Sequence, residues 1–337
     1  MDNTQEPKKS LKRNLTMFDG IIYVVGFVIG TGIFLKPSII LKSTGSSGAA
    51  LLVWIFAGLI SMCSALTIAE LAAYIPKVGG LYDYLTELYG DIVGYLYGWV
   101  ETIISSPAGT AALAIATGEF ITHFLDLGPN SAKIYAIIVI IWCVIIQVIS
   151  TKLTFRIQGI ITVAKMLPIV GVILFGLIKG TAHDISFAQN TGIPVEGGMG
   201  VALLGALWAY DGWLNTCTLG EELINPEKNL PKSIIVGLLI CMLVFVVFNI
   251  AIFNTTSMAE VVKSDNVGRD VSVKLFGNIG GDIIIAGMAI ACFGSTNSQL
   301  LGGARLTYAM GKRKQLPFYE KWTRVSSKRQ TPINSII

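Results

Sequence analysis

Val28-Ile29-Gly30-Thr31-Gly32-Ile33-Phe34 lies inside an apolar block that covers residues 18–40. A helix of that length, rising about 1.5 Å per residue, reaches across the roughly 30 Å of hydrocarbon in a bilayer. Two glycines around a threonine in mid-span admit two readings. One is a helix broken inside the membrane. Glycine permits the break and lets a ligand approach the main chain, and the break exposes amides and carbonyls that a cavity, an ion or a substrate has to satisfy. A half-helix restarting at Gly32-Ile33 would turn free N–H groups and the positive end of its dipole towards an anion, for which a carboxylate is a natural partner. The other reading is close packing of neighbouring helices through small residues. A nucleotide-binding glycine loop does not fit, because no strand precedes the motif and no lysine–hydroxyl pair follows it.

Working outward, seven more apolar blocks follow, near residues 49–74, 94–121, 134–151, 155–178, 198–221, 232–254 and 281–309. Of the 337 residues, 53% are hydrophobic and 14% charged. Soluble chains carry about 25% charged residues, so a soluble enzyme, a fibre and a disordered chain are all excluded in favour of an all-α membrane protein. With the N-terminus inside, 16 Lys and Arg fall in inner segments and 7 in outer ones, which predicts a cytoplasmic N-terminus. Met1 to Thr16 form a polar, basic tail without the pattern of a cleaved signal. The net charge of +4 is scattered over short loops, so no nucleic-acid partner is expected. Cys63, Cys143, Cys217, Cys241 and Cys292 lie in apolar stretches without metal-ligand spacing, and neither His123 nor His183 has a metal-like neighbour in sequence. No metal and no cofactor are expected.

Two further constellations stand out. Trp208-Ala209-Tyr210-Asp211-Gly212-Trp213 places an acid near mid-span, which is costly unless it is solvated or paired. Gly212 suggests a second discontinuous helix, whose carbonyl end could accept a substrate ammonium beneath Trp208 as a gate. The alternative puts the aromatics at lipid or helix interfaces and Asp211 in a watery vestibule. Two such breaks, each early in its half of the chain, form the pattern expected of a secondary transporter. Lys165 lies about ten residues into the fifth block, too deep to reach the interface easily. It could hydrogen-bond the unwound carbonyls of the first span, cycle a proton during transport, or form a structural ion pair. In the eighth block, Ser295, Thr296, Asn297 and Ser298 form a polar run suited to face Gly30 and Lys165. The segment from Pro76 to Gly90 reads as a short interfacial helix with its tyrosines at the headgroups. Glu70, Glu101 and Glu119 sit near span ends, and Arg305 near the inner surface.

These segments resemble the amino acid–polyamine–organocation superfamily, and within it the L-type amino acid transporter family on the side of its bacterial serine/threonine exchangers. The resemblance rests on Gly30-Thr31-Gly32-Ile33-Phe34 with Lys36-Pro37, Thr67-Ile68-Ala69-Glu70-Leu71 and Pro76-Lys77-Val78-Gly79-Gly80-Leu81-Tyr82. It continues through Lys165-Met166-Leu167-Pro168, Ala209-Tyr210-Asp211-Gly212-Trp213, Glu221-Glu222, Asn225-Pro226-Glu227-Lys228-Asn229-Leu230-Pro231, Arg305-Leu306 and Leu316-Pro317. It implies a broken-helix, inverted-repeat (5+5) transporter fold. On that pattern residues 1–16 are a cytoplasmic tail and 17–180 the first five-helix repeat. Residues 196–310 are spans six to eight of a second, C-terminally incomplete repeat, and 311–337 a cytoplasmic segment with the start of a ninth span.

The resemblance also implies that Ile29, Gly30, Thr31 and Gly32 bind the substrate carboxylate. Trp208, Ala209 and Asp211, shaped by Gly212, would bind its amino group, with Trp208 as the aromatic gate. Lys165 matches the fifth-helix lysine of sodium-independent members, and with Ser295 it is expected to couple and gate. The function so implied is a sodium-independent antiporter of the cell membrane that exchanges small neutral, serine- or threonine-like amino acids by alternating access. The alternatives are a proton-coupled amino acid symporter and a truncated membrane fragment that does not transport. Animal relatives pair with a glycoprotein through a cysteine after the third span; residues 122–133 contain none, so no disulfide-linked heavy chain is expected.

Overall fold

Hydrocarbon offers the backbone no hydrogen-bond partners, so long apolar segments satisfy their own N–H and C=O groups by becoming helices. In the computed structural model, which describes residues 13–189, 195–325 and 333–336, every regular element is helical. Most of the tail 1–16 and the segment 326–332 lie outside the described residues. The first block forms α1 (Met17–Val28) and α2 (Gly32–Thr44), bent by 50° at the break between them. A reciprocal cap starts α1: the Thr16 N–H donates to Asp19 Oδ2 at 2.7 Å and the Asp19 N–H to Thr16 Oγ1 at 3.3 Å. The second span is α3 (Ser47–Tyr74), and α4 (Leu81–Tyr89) lies in the loop after it. The third span runs from α5 (Asp91–Val100) through a π-turn (Glu101–Ser105) into α6 (Ser106–Thr122).

Spans four and five are α7 (Ser131–Ile149) and α8 (Thr151–Lys179). The sixth is α9 (Gly198–Ala209), continued after a break by a 3₁₀ segment (Trp213–Leu219). The seventh is α10 (Pro226–Thr255); the short α11 (Met258–Lys263) and α12 (Val267–Phe276) lead into the eighth, α13 (Asn278–Lys312). Tyr319–Trp322 (α14) and Ile333–Ile336 (α15) are single turns. Five of these helices are each long and apolar enough to cross a membrane, and α1 with α2 passes as one bent span. The two remaining blocks, the third and sixth, are the other interrupted ones. The architecture is that of an all-α, multi-pass membrane protein.

The core gathers where α3, α9 and α10 meet α1 and α2. Tyr210 is fully buried, donates its hydroxyl to the Trp54 carbonyl at 3.0 Å and packs edge-on against Phe245 at 4.9 Å. Phe34 and Phe248 meet edge-on at 5.6 Å. The second half-helix of the first span is thereby anchored on the seventh span.

One expectation fails in the loop after the second span. Tyr82 and Tyr84 are not at the headgroups; both are buried, and of the three tyrosines on α4 only Tyr89 faces outward. The reason is that α4 tucks under the C-terminal end of α13. Asp83 accepts the Gly79 N–H at 2.9 Å and an Arg313 N–H at 3.1 Å, while the Tyr82 hydroxyl donates to Gln315 Oε1 at 2.6 Å. Burial raises the Asp83 carboxyl above its usual range, opposed by the Gly79 N–H and Arg313. Lys77 and Arg313, by contrast, hold the Glu87 carboxyl below its own. Arg305 is buried, and its Nε and Nη2 each donate to Glu222 Oε1 at 2.6 Å.

The loop between the seventh and eighth spans carries a testable ion pair. Lys274 Nζ donates to both Glu260 oxygens at 2.9 and 2.8 Å, and Ser257 caps the same carboxylate. Lys274 and Ser257 lower the Glu260 pKa from 4.5 to about 2. The folded-state value is depressed, so the stabilisation is fully present above pH 4.5 and is lost as pH falls through about 2. Hydrogen exchange across α11 and α12 is expected to accelerate over that interval, with no matching change in α10.

A cleft between two helix breaks

The two interrupted spans cross at their breaks. Gly32 opens α2 where Ala209 closes α9; a methyl group on Gly32 would stand 2.8 Å from the Ala209 Cβ, so only glycine allows this approach. Gly212 adopts φ +108°, which turns the chain out of α9 beside the Phe27 ring and which a side chain would strain. Gly32→Val is therefore expected to drive α2 off α9. An overpacking cost of about 1–3 kcal/mol would appear as lost substrate binding, measured by equilibrium dialysis on the purified protein.

The break in the first span leaves polar groups on both sides. On the α1 side, Lys165 Nζ donates to the Gly26 carbonyl at 2.7 Å and to the Ile29 carbonyl at 2.5 Å. Its side chain is fully buried. Ser295 Oγ donates to the Phe27 carbonyl at 3.3 Å. On the α2 side, the N–H groups of Thr31, Gly32 and Ile33 have no partner among the described residues. They are the unsatisfied first donors of a helix, with the positive end of its dipole behind them. Across from them, α9 ends in carbonyls. That of Trp208 takes the Asp211 N–H at 3.3 Å, and that of Ala209 lies at the helix end.

Donors and acceptors open onto one cleft of about 420 Å³. Gly30, Thr31, Gly32, Trp208, Ala209, Asp211, Gly212 and Ser295 all line it. The structure thus brings together every site residue expected from the sequence except two. Ile29 keeps its side chain in the core and contributes its carbonyl to Lys165, and Lys165 stands behind the break rather than in the cleft. Asp211 is exposed on the cleft wall, which removes the cost of a dry charge in mid-span. Trp208 stands at the rim, 57% exposed, with Lys36 Nζ 4.3 Å from the centroid of its ring.

Of the polar run in the eighth span, only Ser295 faces the cleft. Thr296 bonds back to the Cys292 carbonyl at 2.8 Å. The Asn297 amide nitrogen donates to Gln158 at 3.1 Å, and the Ser298 carbonyl accepts the Tyr23 hydroxyl at 2.8 Å. Sequence reasoning missed Ser105 and Gly109 of the third span and Gln299 of the eighth, which also line the cleft. Gln299 was within reach, because it lies four residues after Ser295 and hence on the same helix face. Ser105 was hidden by the π-turn, which shifts the register of the third span. Among the described residues no group of three or more His, Cys, Asp or Glu side chains could hold a metal ion.

The sequence that builds this cleft is similar to those of known transporters. The chain is 38% identical to the serine/threonine exchanger SteT of Bacillus subtilis (strain 168), over 96% of its own length and 73% of that relative's. To the human cystine/glutamate transporter it is 31% identical, over 98% of its own length and 67% of the other. It is 29% identical to the human b(0,+)-type amino acid transporter 1, over 99% and 70% respectively. The amino acid permease family model matches residues 15–337, which takes in both breaks, Lys165 and every cleft residue. On these grounds the chain belongs to the amino acid permease family, and within it resembles the exchangers of the L-type amino acid transporter group.

Proposed function

We propose that the protein exchanges small neutral amino acids across the cell membrane without sodium, by alternating access between two inverted repeats. Residues 17–180 form the first repeat and 196–310 belong to the second, with the N-terminus in the cytoplasm. The observation that carries the reading is the division of the broken first span. The Lys165 ammonium satisfies the carbonyls of Gly26 and Ile29, a task that a bound sodium ion would otherwise perform. Among the described residues the N–H groups of Thr31, Gly32 and Ile33 have no partner, which leaves them open to a carboxylate. The ammonium of the same zwitterion would meet the carbonyl end of α9 at Trp208 and Ala209, beside Asp211. The small walls at Gly30, Gly109, Ala112, Ala116 and Ser295 favour a short side chain. The relatives named as serine/threonine and cystine/glutamate transporters support amino acids as the cargo class.

The test is uptake of labelled amino acids into proteoliposomes in sodium-free buffer. Uptake of serine, threonine and alanine is expected only when the lumen holds unlabelled substrate. It is expected not to respond to an imposed pH gradient. Uptake into empty liposomes driven by a proton gradient would replace exchange with proton symport. Uptake that requires sodium would remove the role given to Lys165.

A further inference from the structure

The cleft does not end blindly. Its floor is Gln299, and immediately beneath lies a second, much smaller cavity of about 30 Å³, room for one water molecule. Asn215 lines this lower cavity and donates its amide N–H to Gln299 Oε1 at 3.4 Å. The π-turn of the third span follows the same partition: Ser105 lines the cleft above it and Glu101 the cavity below. Gln299 stands against Gly109 of that span, so spans three, six and eight meet at this level. Below the lower cavity is a charged mouth of about 350 Å³ formed by Lys77, Asp83, Glu87, Glu221, Lys312 and Arg313.

The rest of the inner closure is built differently. The buried Arg305–Glu222 pair, the Tyr23–Ser298 bond and the main-chain bridge between Leu15 and Leu223 tie spans one, six and eight firmly. Opening them would strip Arg305 of its buried charge partner, Tyr23 of a short buried hydrogen bond, and the Leu15–Leu223 bridge of several main-chain bonds. The Asn215–Gln299 contact is one long, neutral hydrogen bond between two half-buried amides, the least costly of these contacts to break. Once parted, the two amides can hydrogen-bond a passing zwitterion and so offset its loss of water. Among the described residues, Glu101 is the only charged side chain on the lower cavity. Among the described residues no cation lies within ion-pair distance of it.

We propose that the Asn215–Gln299 amide pair is the thin inner gate of the substrate path, and that Glu101 receives the ammonium group of the departing amino acid. The passage runs between spans three, six and eight to the charged inner mouth. This inference rests on the exchanger reading.

The experiment has two arms on the full chain. In a Cys63→Ser background, Thr218→Cys places a thiol on the lower cavity, and its labelling by a membrane-impermeant reagent added from above or below is timed. Gln299→Ala and, independently, Asn215→Ala are expected to speed that labelling about fivefold, the shift produced by losing one ordinary hydrogen bond. Unchanged labelling in both variants would overturn the gate. In proteoliposomes, Glu101→Gln is expected to slow exchange about tenfold, the factor associated with a charged hydrogen bond, with substrate affinity at the cleft unchanged. Exchange at the unsubstituted rate, or lost affinity, would overturn the role of Glu101. If the unsubstituted protein exchanges no amino acid, the functional reading fails, while the labelling arm still decides the gate.

Discussion

Lys165→Ala is expected to cut amino acid exchange by on the order of 100-fold. The substitution removes the donor to two buried carbonyls, Gly26 and Ile29, and each unsatisfied group costs about 1–3 kcal/mol. The end of α1 would rewind or take up water, and the α2 amides would lose their aim on the cleft. Membrane insertion is expected to survive, because a charge has been taken out of a span rather than put in. The two readouts are initial exchange rate in sodium-free proteoliposomes and the yield of monodisperse protein from the membrane. Lys165→Met, which keeps the length of the stem, should transport as poorly as alanine if the ammonium matters. Exchange at the unsubstituted rate in either variant would remove Lys165 from the mechanism.

The second large effect is on stability. Glu222→Ala leaves the Arg305 guanidinium buried, with the Leu301 carbonyl at 3.2 Å as its remaining partner. Breaking a buried pair from one side costs about 3–5 kcal/mol. The expected result is a marked loss of thermal stability in detergent. The double replacement Glu222→Leu with Arg305→Met is expected to recover most of it, since well-packed apolar residues often replace a buried pair at little cost. A single Glu222→Ala variant as stable as the parent would mean that the pair is solvated. The double variant should nonetheless exchange abnormally, because the pair also ties the end of the sixth span to the eighth.

The elements with strong physical signals were legible in the sequence. Apolar blocks of membrane length gave the helices, because nothing else satisfies the backbone in lipid. The break at Gly30-Thr31-Gly32 and the turn at Gly212 were visible because both need residues without a Cβ. The partnership of Lys165 with the first span could be named in advance because an ammonium so deep has few alternatives. What stayed hidden depends on tertiary approach. That Tyr82 and Tyr84 turn inward follows from Asp83 finding Arg313, far along the chain. Asn297 and Ser295 are neighbours in one polar run, yet they serve a buried amide cluster and the cleft respectively. Helical periodicity fixes which residues share a face but not which face meets the cleft. The π-turn at Glu101–Ser105 changes that periodicity within a span, and composition carries no trace of it.

The most direct measurement is a structure of the protein determined with a bound neutral amino acid such as serine. The expected result is a carboxylate oxygen about 3 Å from the N–H groups of Gly32 and Ile33, with the ammonium at the carbonyl end of α9 and Lys165 still on the carbonyls of Gly26 and Ile29. A substrate bound in the reverse orientation, or seated outside the cleft between the two breaks, would contradict the account.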